Sequence, residues 1–409
     1  MTFKSKLSKR AVTTAFGLAL ACLNFGTSSS RADDATIPLG VPIPLTGPFA
    51  SDGQVMQKGI MLAVDELNAN GGLLNKKIRP ITFDIGDLTP DKLQAAASQL
   101  LDRDKVVALI NGYGGMGPDI PAFCPYKQPY LNNDATRHVM DLINTQGCTS
   151  IFNMADVSYT YGIELFKQTL ATGRTFNNKK VAILHGPYDF EVDSAEGFKK
   201  AAEEAGWSVG FEEEVPYGTN QWGAMLSRVS NADPAIIYLE VLDPVATSTF
   251  VSQYNASPVK GATLNIGYAL TTPAFAELVK SGRVDGAMGW TPSAQIQSPE
   301  AQHFVDAWRK AYKEDPPYSI AAQVYDEVMV WAAAVKEAGD ENNFDKVVDI
   351  IKTTKRTGAT GTVAFNGGFF SPVSDATQPS LLLEARKGVV TPVLIGSKLV
   401  ASPEAASSR

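Results

Sequence analysis

Residues 37–44 (IPLGVPIP), 51–72 (SDGQVMQKGIMLAVDELNANGG) and 78–85 (IRPITFDI) decide the fold class of this chain. The first is a short run of aliphatic side chains. In the second, Ser51 stands at a helix start, Met56, Ile60, Ala63, Val64 and Leu67 recur at intervals of three and four, and Gly71-Gly72 ends the pattern. The third alternates, with Ile81, Phe83 and Ile85 on one face. Strands separated by a helix cannot pair as a hairpin, so they run parallel with the helix laid against the sheet. Thr89-Pro90 then opens a helix with proline at its first position, and Val106 to Ile110 is a buried strand. This pattern predicts an α/β chain with a doubly wound parallel sheet.

The same rhythm restarts after Ile151. Helices from Tyr161 to Ala171, Ser194 to Ala205 and Gln221 to Val229 are expected between strands Lys180 to His185, Ser208 to Val215 and Ala235 to Val241. Two more strands, Ala262 to Ala269 and Asp285 to Trp290, flank a helix from Pro273 to Lys280. Three successive helices then break the alternation, at 299–312, 320–338 and 344–355, and the chain ends in strands at 361–365 and 380–395 and a small polar tail, 401–409. Helices without intervening strands predict a return to the first domain. The expected architecture is two α/β lobes with several crossings between them.

A length of 409 residues exceeds one ordinary core, and 44% hydrophobic against 19% charged residues describes a chain that buries cores. All five basic residues before Asp33 (Lys4, Lys6, Lys9, Arg10 and Arg31) stand in a stretch with no acid, which leaves 31 Lys+Arg against 43 Asp+Glu in residues 33–409. That balance speaks against nucleic acid and anionic lipid as partners, because both are held by clustered Lys and Arg. A charged start, an apolar run from Ala11 to Phe25 and the small-x-small Ser30-Arg31-Ala32 have the layout of a secretory leader over residues 1–32. An N-terminal anchor and a lipoprotein processed at Cys22 are the alternatives. Export leaves Cys124 and Cys148 in an oxidising compartment, where two local thiols pair as a disulfide; two free buried cysteines are the alternative.

Gly112-Tyr113-Gly114-Gly115-Met116-Gly117 fits the G-x-G-x-x-G pattern after a strand. Pro118 and Pro121 interrupt the helix a dinucleotide site requires, so no cofactor is expected. What the pattern offers is bare backbone N–H groups at a strand end, suited to a small polar ligand, or simply a turn. His138, His185 and His303 stand far apart without a zinc spacing, and there is no G-x-S-x-G elbow. Tyr188 and Phe190 follow the strand ending at His185, and Tyr268 ends another, at the carboxyl ends where open α/β sheets hold their ligands.

Pro42-Ile43-Pro44-Leu45-Thr46-Gly47-Pro48-Phe49-Ala50, the helix to Gly71-Gly72, the strand to Asp84, Pro90, Asp134-Ala135-Thr136 and Tyr325-Asp326-Glu327 together resemble the leucine/isoleucine/valine-binding family, the type I periplasmic solute-binding proteins of ABC transporters. The resemblance implies two lobes joined by three crossovers, 36–157 with 290–358 and 158–289 with 359–400, closing on a ligand. It implies no catalysis, a periplasmic location, a monomer, and an inner-membrane permease with its ATPase as partner. It places ligand contacts at the backbone of Gly115 and Met116, where the family carries a serine, at Ala135-Thr136 with Asp134, and at Phe190. Tyr113, Tyr188 and Tyr268 would cover the body of the ligand. The family's ammonium-binding acid falls on Ala269, so Glu240 or Asp134 would have to replace it. Without such a replacement the expected ligand is a carboxylate or amide, not a plain amino acid. A ligand-sensing module of the same fold and a cleft hydrolase are the rival functions.

Overall fold

The computed structural model describes residues 36–114, 116–134, 136–155, 157–291, 298–318, 320–372, 374 and 377–400. The expected leader, Cys22 and the tail at 401–409 lie outside the described residues. Strands β1 (Thr36–Ile43), β2 (Lys77–Asp84), β3 (Leu109–Asn111), β4 (Tyr130–Asn132) and β5 (Ile151–Asn153) form a first sheet in the order β2-β1-β3-β4-β5, all parallel. Strands β6 (Lys180–His185), β7 (Ser208–Glu214), β8 (Ile236–Glu240), β9 (Thr263–Asn265) and β10 (Met288–Thr291) continue the rhythm. A hairpin of β11 (Lys355–Gly358) and β12 (Gly361–Ala364) stands apart, and β13 (Leu381–Arg386), β14 (Val389–Ile395) and β15 (Lys398–Leu399) complete a second sheet. Its order is β15-β14-β13-β10-β9-β8-β6-β7.

Each sheet is covered on both faces. Ile37, Leu39, Val41 and Ile43, on one face of β1, are at most 1% exposed, and Gly40 and Pro42 on the other face are buried as well, which a strand tolerates only when helices lie on both sides. Burying each of the Ile, Leu and Val side chains contributes roughly 2 kcal/mol. The second sheet adds an antiparallel edge to its parallel strands, where β13 pairs antiparallel with β10 and β14, and β14 with β15. Arg386 pairs with Val389 across Lys387-Gly388, both at positive φ (50° and 79°), and a two-residue turn of that kind joins only antiparallel strands. The strand expected to reach Ala269 stops at Asn265; Gly267–Thr271 is a 3-10 turn, and Tyr268 sits on it.

The helices Pro299–Tyr312 and Ala321–Ala338 pack against the helix Ala50–Ala69, and Phe344–Thr353 packs against Ala321–Ala338. Ala359, Val363 and Phe365 belong to the same core, and Asn153 of β5 bridges Phe370. The β11–β12 hairpin thus buries its apolar face in the core of the first sheet, whereas the chain from Leu381 on belongs to the second sheet. Cys124 and Cys148 are joined, with Cα atoms 5.1 Å apart and a sequence separation of 24, which ties the helix Asp119–Phe123 to the start of β5. A loop of that length contributes roughly 3 to 4 kcal/mol by restricting the unfolded chain. No helix of the described residues is long and apolar enough to cross a membrane.

Candidate functional site

The carboxyl ends of the two sheets face a common cleft. The first lobe contributes Phe49, Ser51 and Asp52 from the loop and helix start after β1, Tyr113 and Met116 after β3, and Asn133 and Asp134 after β4. Tyr161, Phe190, Leu242 and Tyr268 come from the second lobe, and Ile320 and Gln323 from the start of the long returning helix. The aromatic residues form a chain of edge contacts. Phe49 meets Tyr113 and Tyr188, each at 6.1 Å between ring centroids, and Phe190 meets Tyr161 at 5.7 Å and Tyr268 at 6.0 Å. Such pairs prefer the edge geometry seen here and leave ring faces for a guest.

Of the residues singled out from the sequence, Tyr113, Met116, Asp134, Phe190 and Tyr268 line this cleft. Gly115 and Ala135 lie outside the described residues. Three expected contacts lie elsewhere, for definite reasons. Thr136 is fully buried and its hydroxyl caps the helix Arg137–Gln146 by accepting from Val139 N at 3.1 Å. Tyr188 precedes the helix Asp189–Glu204, its ring against Phe49 and Tyr217. Glu240 lies beneath the wall: it accepts from the Tyr238 hydroxyl, from Ser194 Oγ at 3.4 Å and from Tyr268 N at 3.3 Å. A side chain at Gly267 (φ 43°) would put its Cβ 2.2 Å from that carboxylate. Glu240 thus positions the turn that presents Tyr268.

Glu191, missed in the sequence, does the same for two other wall segments. It accepts from Tyr188 N at 3.0 Å, Leu242 N at 2.7 Å and the Tyr217 hydroxyl at 3.1 Å. Asp52 was missed as well, although its place in the first turn of the helix that follows β1 is where ligands of open sheets are met. Of the two acids that could replace the one missing at Ala269, Asp134 lines the cleft and Glu240 does not, and Asp52 lines it as well.

Asp134 is 4% exposed and its Oδ2 has no hydrogen-bond partner. Burial, then the charge of Asp119, raises its pKa well above the ordinary carboxylate range, while the amides of Gly117 and Met116 act the other way. Gly114, at φ 68°, allows this crowding, because a Cβ there would lie 2.6 Å from Asp134 Cβ and 2.8 Å from Asp119 Oδ2. Burial also raises Asp52 to about 7, Glu240 to about 7 and Glu191 to about 8. Asn133, on the wall, donates to Glu327, whose carboxyl is pushed up by burial and by Asp326.

These shifts fix the sign of a pH dependence. A carboxyl whose pKa is raised on folding takes up a proton as the chain folds, so its contribution is fully present below the unfolded value near 4 and is lost as pH rises through the folded value. The ligand-free protein is expected to melt several degrees lower at pH 8 than at pH 5, as followed by differential scanning calorimetry. A melting temperature that rises over this interval contradicts the burial of these acids in neutral form.

Among the described residues no group of three or more His, Cys, Asp or Glu side chains is placed to hold a metal ion. The helix after the glycine-rich strand end has five residues, Asp119–Phe123, too short for the dinucleotide arrangement.

Known proteins match this architecture over most of its length. The family described as periplasmic binding protein matches residues 36–388. A leucine-, isoleucine-, valine-, threonine- and alanine-binding protein of Pseudomonas aeruginosa is 23% identical over 354 residues, 85% of this chain and 90% of that protein. A branched-chain amino acid transporter substrate-binding protein of Streptococcus pneumoniae, solved with isoleucine, superposes with a TM-score of 0.72 at 21% identity, covering 87% of this chain and 98% of the other. A solute-binding protein of R. palustris, solved with benzoate, gives a TM-score of 0.73 at 18% identity, over 90% and 98% of the two chains.

Proposed function

Because the chain belongs to the periplasmic binding protein family, we propose that it captures a small organic solute in the cleft between its lobes and delivers it to the membrane permease of an ABC importer. The observation that carries this reading is the cleft itself, whose walls come from the strand ends of both sheets, so that a ligand contacts both lobes only when they are closed. Amino acids and benzoate are the solutes named for similar proteins.

The two sheets and their cores support lobes of 36–157 with 298–371 and 158–291 with 381–400. Residues 1–32 act as a leader that places the mature chain, as a monomer, in the periplasm. A sensing module of the same fold would share the cleft and differ in lacking a permease. A hydrolase would need a base beside a nucleophile; Ser51 Oγ lies 3.5 Å from Asp52 Oδ1, but no His is among the described residues that line the cleft.

The test is a solute panel of amino acids, amines, amides and organic acids, read by thermal shift and small-angle scattering. A bound solute at about a hundred times its dissociation constant should add about 2.7 kcal/mol of stability and reduce the radius of gyration. Turnover of a bound compound, or a panel in which nothing compacts the protein, defeats the reading.

A further inference from the structure

Two acids stand in a cleft whose described walls hold no Lys, Arg or His. Asp52 and Asp134 are 8% and 4% exposed, and Asp134 Oδ2 has no hydrogen-bond partner. The Tyr113 hydroxyl is buried and unpartnered as well. Between the two lobes lie the rings of Phe49, Tyr113, Tyr161, Phe190 and Tyr268. On the reading of this cleft as a solute site, we propose that its ligand is an organic cation, an ammonium group on an apolar or aromatic body, and that no carboxylate is needed for capture.

The chemistry runs in one direction. A buried carboxylate oxygen without a partner is costly, and the groups around Asp134 aggravate the cost, since Asp119 and Asp189 are also acids. An ammonium supplies N–H donors for Asp134 Oδ2 and the missing counter-charge at once. Aromatic rings add attraction through their faces, the means by which organic cations are recognised where water is excluded. A ligand carboxylate gains none of this. With Asp52 and Asp134 ionised it would be repelled by like charges, and with them neutral it would bring an unpaired negative charge into a low-dielectric cleft whose described walls hold no cation. The excess of acids in residues 33–409, 43 against 31 Lys+Arg, draws cations toward the molecule and repels anions.

The inference is tested with two sets of compounds that share a skeleton and differ in charge: isopentylamine, leucine and isocaproate, and phenethylamine, phenylalanine and hydrocinnamate. Binding to the purified protein is measured by calorimetric titration and thermal shift. In at least one set the amine should bind tenfold or more tightly than its amino acid, as the charge balance requires, and the acid should not bind. Asp134→Asn should weaken the amine roughly a hundredfold, with Asp52→Asn as the second variant, because each leaves one charge unpaired. Neither should lower the melting temperature of the free protein, which separates lost recognition from lost fold.

Tighter binding of the acid or the amino acid, or an amine affinity unchanged in both variants, overturns the inference while leaving solute capture intact. Failure of all six compounds overturns it too. Solute capture itself falls only if nothing in the broader panel compacts the protein.

Discussion

Valine at Gly162 or at Gly197 is expected to cost on the order of 4 kcal/mol or more, among the larger effects a single substitution produces. The helices Ser158–Ala171 and Asp189–Glu204 touch backbone to backbone at these two positions. A Cβ at Gly162 would lie 1.8 Å from Ser194 O, and one at Gly197 would lie 1.9 Å from Tyr159 O. No side-chain rotation relieves a collision of Cβ with main chain, so even alanine is too large and the helices must separate. That separation moves Tyr161 and Phe190, which these helices carry into the cleft, and solute affinity should fall with stability. Thermal unfolding should show a midpoint lowered by about 10 °C. A Gly162→Ala variant melting within a degree or two of the parent sinks the argument.

The second large effect is expected at Asp326, in the long returning helix. Its carboxylate is 1% exposed and accepts from Ala359 N at 2.9 Å, Thr360 N at 2.8 Å and Thr360 Oγ1 at 2.6 Å, which pins the turn between β11 and β12 to the first lobe. Gly358 lets the turn come this close, since a Cβ there would lie 2.3 Å from Asp326 Oδ1. Burial raises the pKa of this acid, and the three donors act against that rise. Asp326→Ala would leave all three donors buried without an acceptor, at about 1 to 3 kcal/mol each before relaxation, so a loss of about 4 kcal/mol is expected. Asp326→Asn keeps one acceptor oxygen and should lose roughly half as much, by the same accounting. Denaturant titration of both variants checks the order. Equal losses would mean that size, not hydrogen bonding, is what the site requires.

Much of the fold was legible because it is local. The spacing of Met56, Ile60, Ala63 and Leu67, the alternation at Ile81, Phe83 and Ile85, and the glycine stop at Gly71-Gly72 each follow from the period of one element, and each element formed where its period said. What the periods did not carry was the antiparallel edge at β13 to β15, where the signal is a single Lys387-Gly388 turn, and the attachment of the β11–β12 hairpin, which depends on Asp326 some thirty residues earlier.

Chain order alone thus determined an α/β chain with two parallel-rich sheets, the pairing of Cys124 with Cys148 and the family the chain belongs to, because each rests on neighbouring residues or on a linear motif. Only the tertiary structure decided which polar side chains face the cleft. Asp52 and Asp134 come to it from loops after different strands, while Thr136 is taken up by a helix cap and Glu240 by the turn behind Tyr268. Type and position along the chain are the same for an acid that meets solute and one that braces the wall. Which it does depends on the donors that other segments bring to it, and those are set when the sheets and their loops pack.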